Sequence, residues 1–514
     1  MGPFPGRRRR PIVSRTRRRS GPAHLASIAL DHDAGQPLNR QLYFAIRAAI
    51  LDGRLKPGTR LPSSRALAAD QGVSRNTVMA AFEQLLAEGY LEGRVGAGSF
   101  VSRVLPEEVL HARAAVVARR AKGGAAPGLS RRGALLATLP DDGTRPRAFS
   151  PGLPELAAFP FEDWARLLAK HWRHPPRSFL IGGDPAGHKP LREAVAAYLG
   201  AARAVTCSAE QVFVVSGAQQ ALDLTARVLI DPGDTVWVEE PGYPGLRGAL
   251  IASGAVLAPV PVDAEGLEVE AGRRLAPRAR MACVSPSHQY PLGVSMSLAR
   301  RLALLDWASQ ADAFILEDDY DSEYRYAGHP LAALQGLDAD GRVIYIGTMS
   351  KVMFPGLRLG YMVVPEHLID AFRAIRRLAD THPALVTQPA LAEFIESGLL
   401  SAHIRRMRAL YAERQRLLLD ACGRFLDDVL EVGADEAGMH LVALMRDGAA
   451  DRSVAAAARA LGIEAPPLSA YYQSTPPRQG LLLGYAGVGA AEIASAARRL
   501  REAFAAAGGG SPRG

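Results

Sequence analysis

Only five of the 61 basic residues in this 514-residue chain are lysines: Lys56, Lys122, Lys170, Lys189 and Lys351. Arginine stands almost everywhere a surface charge suffices, so a retained lysine raises the question of an amine that must lose its proton and form an imine, which arginine cannot do. Lys351 is the only lysine in the last 325 residues. It ends the segment Ile346-Gly347-Thr348-Met349-Ser350-Lys351, beside a strand end. Seven residues later Arg358 lies in the Gly-flanked turn Pro355-Gly356-Leu357-Arg358-Leu359-Gly360-Tyr361. A nucleophilic amine with a nearby guanidinium suits a carbonyl compound that carries a phosphate. The plain alternative, a surface lysine, fits poorly with how seldom this chain uses lysine.

Three further stations precede it. Val214-Val215-Ser216-Gly217-Ala218-Gln219-Gln220-Ala221 is a strand end, a glycine and the start of an apolar-periodic helix. The free N–H groups of such a helix start bind phosphate, and Ala218 and Gln219 would donate them; many strand-to-helix turns have the same pattern. Glu240-Pro241-Gly242-Tyr243-Pro244 places a tyrosine in a Pro/Gly loop, where it either stacks on a flat ligand or simply packs. Ile315-Leu316-Glu317-Asp318-Asp319-Tyr320-Asp321, with Glu323 beyond, crowds carboxylates around a tyrosine. No His or Cys is interleaved, so a metal site is not expected; a buried Asp facing a protonated ring nitrogen fits better, with Tyr320 on a ring hydroxyl. Lysine, acid, phosphate cradle and flat face together are the requirements of pyridoxal 5′-phosphate (PLP).

The elements that would position these stations alternate between helix and strand from about Pro151 onward, the pattern of an α/β domain with a mostly parallel sheet. The strand candidates are Val212–Val215, Thr235–Glu239, Val256–Val260, Ala282–Ser285, Ala313–Glu317, Val343–Ile346 and Leu359–Val364. Ahead of them, residues 103–150 read as a linker with a helix near Glu107 to Arg120, and residues 1–36 as a disordered Arg-rich tail.

Between tail and linker, residues 37–102 have a different design. A helix from Leu38 to Asp52 carries Leu42, Ile46, Ala49 and Ile50 on one face. Ser63 or Ser64 then caps a second helix, Arg65 to Gln71, which Gly72 ends; Ser74 caps a third, Arg75 to Glu88, with Val78, Phe82, Leu85 and Leu86 as its apolar face. Helix, tight turn, helix is DNA-reading geometry, in which the first residues of the second of the pair, here Ser74, Arg75, Asn76 and Thr77, enter the major groove. The segment from Tyr90 to Val101 reads as two strands around a glycine turn, a wing presenting Arg94. A helical protein-interaction module with incidental arginines has the same periodicity. Residues 1–133 hold 23 Lys+Arg against 9 Asp+Glu, a net of +14, so the remaining chain sums to 9 − 14 = −5. A basic head on a mildly acidic body suggests contact with nucleic acid through the head.

Pro57-Gly58, Leu61-Pro62-Ser63-Ser64-Arg65, Gly72-Val73-Ser74-Arg75-Asn76-Thr77-Val78 and Glu88-Gly89-Tyr90-Leu91 closely resemble the GntR-type winged-helix domain. The resemblance implies DNA contacts by Arg65, Arg75, Thr77 and the wing. The later stations, with Pro286-Ser287-His288-Gln289-Tyr290-Pro291-Leu292-Gly293, resemble fold-type I aminotransferases. In this order, and over residues 37 to about 505, the whole is similar to the MocR family of regulators. What the resemblance implies is a small winged helix-turn-helix head joined to a large fold-type I α/β body at residues 151–507. It makes Lys351 the Schiff-base lysine, Asp318 the ring-nitrogen partner, Tyr320 the ring-hydroxyl partner and Tyr243 the stacking residue. Ala218, Gln219, Thr348 and Arg358 then hold the phosphate, with His288 and Gln289 nearby. One departure concerns Gly480-Leu481-Leu482-Leu483-Gly484-Tyr485, where amino-acid aminotransferases carry an arginine for the substrate carboxylate; here Arg478 is the nearest.

The expectation is therefore a PLP-binding transcriptional regulator of amino-acid or vitamin B6 related genes, a cytoplasmic homodimer on operator DNA that senses PLP or its adduct with an amino compound. The alternatives are a working aminotransferase with an autoregulatory head, and a repressor sensing an unrelated acid through a co-opted body. Composition excludes other classes. Apolar residues at 48% and charged residues at 22% are globular values. No run of 18 apolar residues is present, so no membrane span is expected. Cys207, Cys283 and Cys422 are too few and too far apart for a disulfide framework.

Overall fold

Apolar residues at three- and four-residue spacing give the first helix a single buried stripe. That helix, α1 (Leu38–Leu51), buries Leu42, Ile46, Ala49 and Ile50, and Tyr43 beside them. The computed structural model of the chain describes residues 29–32, 34–94, 97–105, 128–138, 146–327, 331–446, 449–474 and 477–508. Its contacts divide into two units, Met1–Gly128 and Leu129–Gly514. The arginine runs before residue 29 and the helix expected near Glu107 to Arg120 lie outside the described residues.

In the first unit, α2 (Ser64–Gln71) starts at Ser63, whose side chain accepts from the Ala66 N–H at 3.2 Å, and stops at Gly72 in the left-handed conformation. The helix α3 (Arg75–Ala87) is capped by Ser74, which accepts from the Thr77 N–H at 3.1 Å. Leu42, Leu67, Val78 and Leu85 are fully buried where the three helices meet, each burial worth about 1.5–3 kcal/mol against exposure. Leu86 corrects the sequence reading: it is 37% exposed, and Ala81 at 1% takes the core place instead. Strands β1 (Leu91–Arg94) and β2 (Gly98–Val101) pair antiparallel, Leu91 opposite Val101 and Arg94 opposite Gly98.

The second unit is built on an eight-stranded sheet. Its strands are β3 (Val212–Val215), β4 (Thr235–Glu240), β5 (Val256–Asp263), β6 (Gly266–Leu267), β7 (Met281–Val284), β8 (Phe314–Asp319), β9 (Val343–Thr348) and β10 (Gly360–Val363), in the order β3-β10-β9-β8-β7-β4-β5-β6. All seven strand candidates are strands, with ends displaced by up to three residues. β4, β5, β7, β8 and β9 run parallel, while β10 lies antiparallel between β3 and β9. The sheet is covered on both faces, so its strands are apolar on both sides. Ile344 and Ile346 of β9 join the core cluster on one face, while Val343 and Tyr345 belong to clusters on the other. Trp237 of β4 stacks on Trp307 with ring centroids 3.7 Å apart.

A three-stranded antiparallel sheet, β11 (Leu430–Val432), β12 (His440–Met445) and β13 (Gly480–Gly484), is packed into the same large core cluster as the helix Leu399–Phe425. The sequence reading did not foresee it, because its strands are short and lie among helices. Among the described residues no helix is long and apolar enough to cross a membrane.

Candidate functional site

The carboxyl ends of parallel strands carry the candidate residues of the body, the edge at which open α/β sheets bind ligands. After β3, Gly217 (φ +87°) opens the helix α4 (Ala218–Leu229). The first N–H groups of a helix have no partner within it, so those of Ala218 and Gln219 face outward. Arg358, exposed, donates from Nη2 to the Ser216 carbonyl at 2.7 Å, beside Gly217. Ala218, Gln219 and Arg358 therefore gather at one helix end, an arrangement for a phosphate. Gln219 donates to the Gly245 carbonyl at 2.9 Å, which ties this end to the start of the helix α5 (Pro244–Ser253), where Tyr243 is the N-cap residue. Thr348, the last residue of β9, is buried and accepts from the Ser350 N–H at 3.1 Å.

Tyr243 and Asp318 line one cavity with Glu239, Arg247, Cys283 and Ser285. The carboxylates that looked alike in the sequence have separate tasks here. Glu317 accepts from the Leu334 and Gln335 N–H groups at 2.8 and 2.9 Å. Asp319 takes Arg203 at 2.8 Å, Ser322 at 2.9 Å and Tyr345 at 2.5 Å. Asp321 faces His288 at 3.1 Å, and Glu323 accepts from Tyr198 at 3.0 Å. Asp321 Oδ1 and Asp318 Oδ1 are both buried without a hydrogen-bond partner among the described residues, but Asp321 has its other oxygen on His288, a pairing that Asp318 lacks. Burial, and after it Asp319 and Asp321, raise the pKa of Asp318 to about 7, against a lowering by Lys351. A buried acid in that condition is suited to a protonated ring nitrogen.

Lys351 donates from Nζ to the Gly152 carbonyl at 2.9 Å. Burial lowers its pKa, opposed by Asp321 and Asp318; a depressed amine pKa favours the neutral nucleophile. Tyr320 and Nδ1 of His288 lie at 2.8 Å, and His288 Nε2 faces Asp435 at 3.4 Å. Burial pulls the imidazole down, but Asp321 and Asp435 outweigh it and hold the pKa at about 10, so His288 is an imidazolium at pH 7. Gln289 donates to Glu239 at 3.2 Å and to the Pro241 carbonyl at 2.8 Å, buttressing the Tyr243 loop.

Sequence reasoning missed Gly152 and Asp435. Gly152 (φ +68°) meets Lys351 across 199 positions, and a Cβ there would lie 2.5 Å from Nζ. No local pattern signals such a contact. In the segment Gly480 to Tyr485, which has no arginine, Gly484 of β13 donates its N–H to the Phe149 carbonyl at 2.9 Å, and a Cβ would lie 2.1 Å from the Ser150 carbonyl. That stretch is a backbone cradle for the strand of chain that leads to Gly152.

In the first unit, Arg65, Ser74, Arg75 and Asn76 are exposed and Thr77 is half-buried. Ser74 and Thr77 also share a hydroxyl contact of 2.8 Å, so both hydroxyls serve the helix start. Arg75 donates from Nε to Ser64 at 3.4 Å, with its guanidinium otherwise exposed. Arg94, on β1, lies over the Phe100 ring at 4.6 Å and 3.9 Å from Glu92.

Comparison with known proteins matches residues 38–101 to the bacterial regulatory proteins of the gntR family and residues 153–500 to aminotransferase class I and II. The chain is 47% identical over 482 residues, 93% of its length and 96% of the relative's, to the probable rhizopine catabolism regulatory protein MocR of Rhizobium meliloti. It is 32% identical, over 89% of this chain and 94% of the relative, to the pyridoxine biosynthesis transcriptional regulator PdxR of Corynebacterium glutamicum. Among solved structures, the α-aminoadipate aminotransferase of Thermus thermophilus, complexed with N-(5′-phosphopyridoxyl)-L-leucine, superposes with a TM-score of 0.65 at 28% identity, covering 70% of this chain and 92% of that one. The kynurenine aminotransferase of Pyrococcus horikoshii, in complex with PMP, gives 0.65 at 28% identity over 77% and 99%. The body thus has the PLP-dependent fold of class I and II aminotransferases. With a GntR-type DNA-binding head on that body, the chain belongs to the MocR-type helix-turn-helix transcriptional regulators.

Proposed function

We propose that this regulator senses PLP, or PLP combined with an amino compound, through Lys351, and passes the signal to operator DNA bound by its head. The observation that carries this reading is Asp318 Oδ1, buried without a partner among the described residues in a cavity it shares with Tyr243, and electrostatically coupled to Lys351. In the proposal Asp318 holds a proton against the ring nitrogen, Tyr320 meets the ring hydroxyl with His288 behind it, and Tyr243 covers the ring. Ala218, Gln219, Thr348 and Arg358 hold the phosphate. When bound, the cofactor supplies a carbonyl for amine capture and an electron-withdrawing ring. Arg65, Arg75, Asn76 and Arg94 are proposed as the DNA-contacting residues, with Ser74 and Thr77 setting the start of the recognition helix. The protein acts in this reading as a cytoplasmic homodimer, matching two operator half-sites.

Coupling of ~1–3 kcal/mol between ligand and operator makes a useful switch. Purified protein titrated with PLP should develop visible absorption, and its affinity for DNA upstream of its own gene should change with it. Lys351→Ala should lose the absorption. Absorption that develops equally in that variant, or operator affinity that ignores PLP, would sink the reading. The complete set of cofactor stations also favours a second reading, residual aminotransferase activity, which turnover with amino-acid and 2-oxo-acid pairs checks.

A further inference from the structure

The 27-residue helix Leu399–Phe425 turns one stripe of its first turns toward a cavity in the body: Ser401, Ile404, Arg405 and Arg408 stand there at three- and four-residue spacing. Opposite, the helix Lys189–Arg203 brings Ala201 and Ala202, whose small side chains leave the space open. The cavity holds about 510 Å³, within the roughly 300–1,000 Å³ of small-molecule sites. None of the cofactor stations lines it.

Four arginines line this cavity, and two of them are committed. Arg203 gives Nε to Asp319 at 2.8 Å and Nη2 to Ser287 at 2.6 Å. Arg325 is paired with Glu436 at 2.6 Å. The other two are exposed. Arg405 has no hydrogen bond or ion pair among the described residues. Arg408 gives Nε and Nη2 to the Glu323 carbonyl at 3.1 and 2.8 Å, and no carboxylate among the described residues pairs with it. One acid shares the wall. Glu323 accepts from Tyr198 at 3.0 Å, and burial, then Asp319, raise its pKa to about 7, so its charge at pH 7 is only partial. Ile404, Leu331 and the two alanines supply apolar surface. An oxyanion entering here exchanges water for two guanidiniums on one helix face, and such charge-assisted bonds are roughly twice as strong as neutral ones.

We infer that this cavity is a second, non-covalent ligand site, taking a small organic molecule whose carboxylate or phosphate is held by Arg405 and Arg408. The test uses full-length protein saturated with PLP, which fills the proposed phosphate cradle at α4. Calorimetric titration with succinate and, separately, with glycerol 3-phosphate, at an ionic strength fixed by sodium chloride, should show binding of at least one, and the tighter of the two names the oxyanion. Arg405→Gln should raise its dissociation constant about 10-fold, with the PLP absorption and the urea midpoint unchanged. Ala202→Phe, which fills the cavity and leaves every charge in place, should weaken binding to a similar degree. Binding of neither acid, or binding that Arg405→Gln leaves unaltered, overturns the inference. Ala202→Phe protein that binds as tightly as wild type places the anion on the open helix face and overturns the cavity as its site. If wild type takes up no PLP, the cofactor reading fails by itself, and the comparison of wild type with Arg405→Gln still decides this one.

Discussion

Gly152 lacks a side chain where Lys351 needs the space: its φ of +68° is left-handed, and a Cβ would lie 2.5 Å from Nζ. Gly152→Ala should therefore combine backbone strain with displacement of the amine, costing about 1–3 kcal/mol in stability. It should also weaken PLP binding, read as a shifted visible titration beside a lowered urea midpoint. His288 makes a pH prediction. Its folded pKa of about 10 lies above the ordinary 6.5, because Asp321 and Asp435 overcome the effect of burial. A group raised on folding stabilises fully below its unfolded pKa and loses that contribution as pH rises through the folded one. His288→Ala should thus cost about 3–5 kcal/mol at pH 6, where it strips a buried carboxylate of its partner. The gap to wild type should narrow steadily between pH 6.5 and 10 in urea unfolding; a gap constant across that window would refute the assigned charge.

At the scale of elements, α3 separates holding from reading. Ser74 accepts from the Thr77 N–H and starts the helix, while Arg75 and Asn76 stay exposed on its first turn. Arg75→Ala should cost ~1–3 kcal/mol of specific operator affinity, the worth of one bidentate base contact, and leave visible absorption by the PLP form unchanged. Ser74→Ala should instead lower the thermal stability of the head by about 1 kcal/mol through the lost cap. Anisotropy with operator and unrelated DNA distinguishes them. If Arg75→Ala binds its operator as tightly as wild type at physiological salt, α3 is not the reading helix. In the body, β13 shows the same division: its leucines are buried, and Gly484 anchors the chain before Gly152.

For the molecule as a whole, the net of +14 on residues 1–133 against −5 on the remainder assigns DNA affinity to the head. Binding to unrelated DNA should weaken steeply with salt, because contacts to phosphate release counterions. Light scattering at micromolar concentration with PLP present should give a dimer; a monomer would remove the proposed match between protein and operator symmetry. The sequence alone determined the two-unit plan, because helical periodicity with Ser caps and short apolar runs are local signals. It likewise singled out Lys351, through the scarcity of lysine, and the acid-rich end of β8. Residue pattern by itself left Glu317, Asp318, Asp319 and Asp321 equivalent, since composition says nothing of which carboxylate finds a partner; only the family resemblance pointed to Asp318. Only packing decided that Arg203 neutralises Asp319, that His288 faces Asp321, and that Asp318 Oδ1 stays without a partner among the described residues. Gly152 and Asp435 belong to the same class: they reach Lys351 and His288 from 199 and 147 positions away. Contacts at such separation arise from the order of strands in the sheet and the path of the chain around it, neither of which any local pattern of residues encodes.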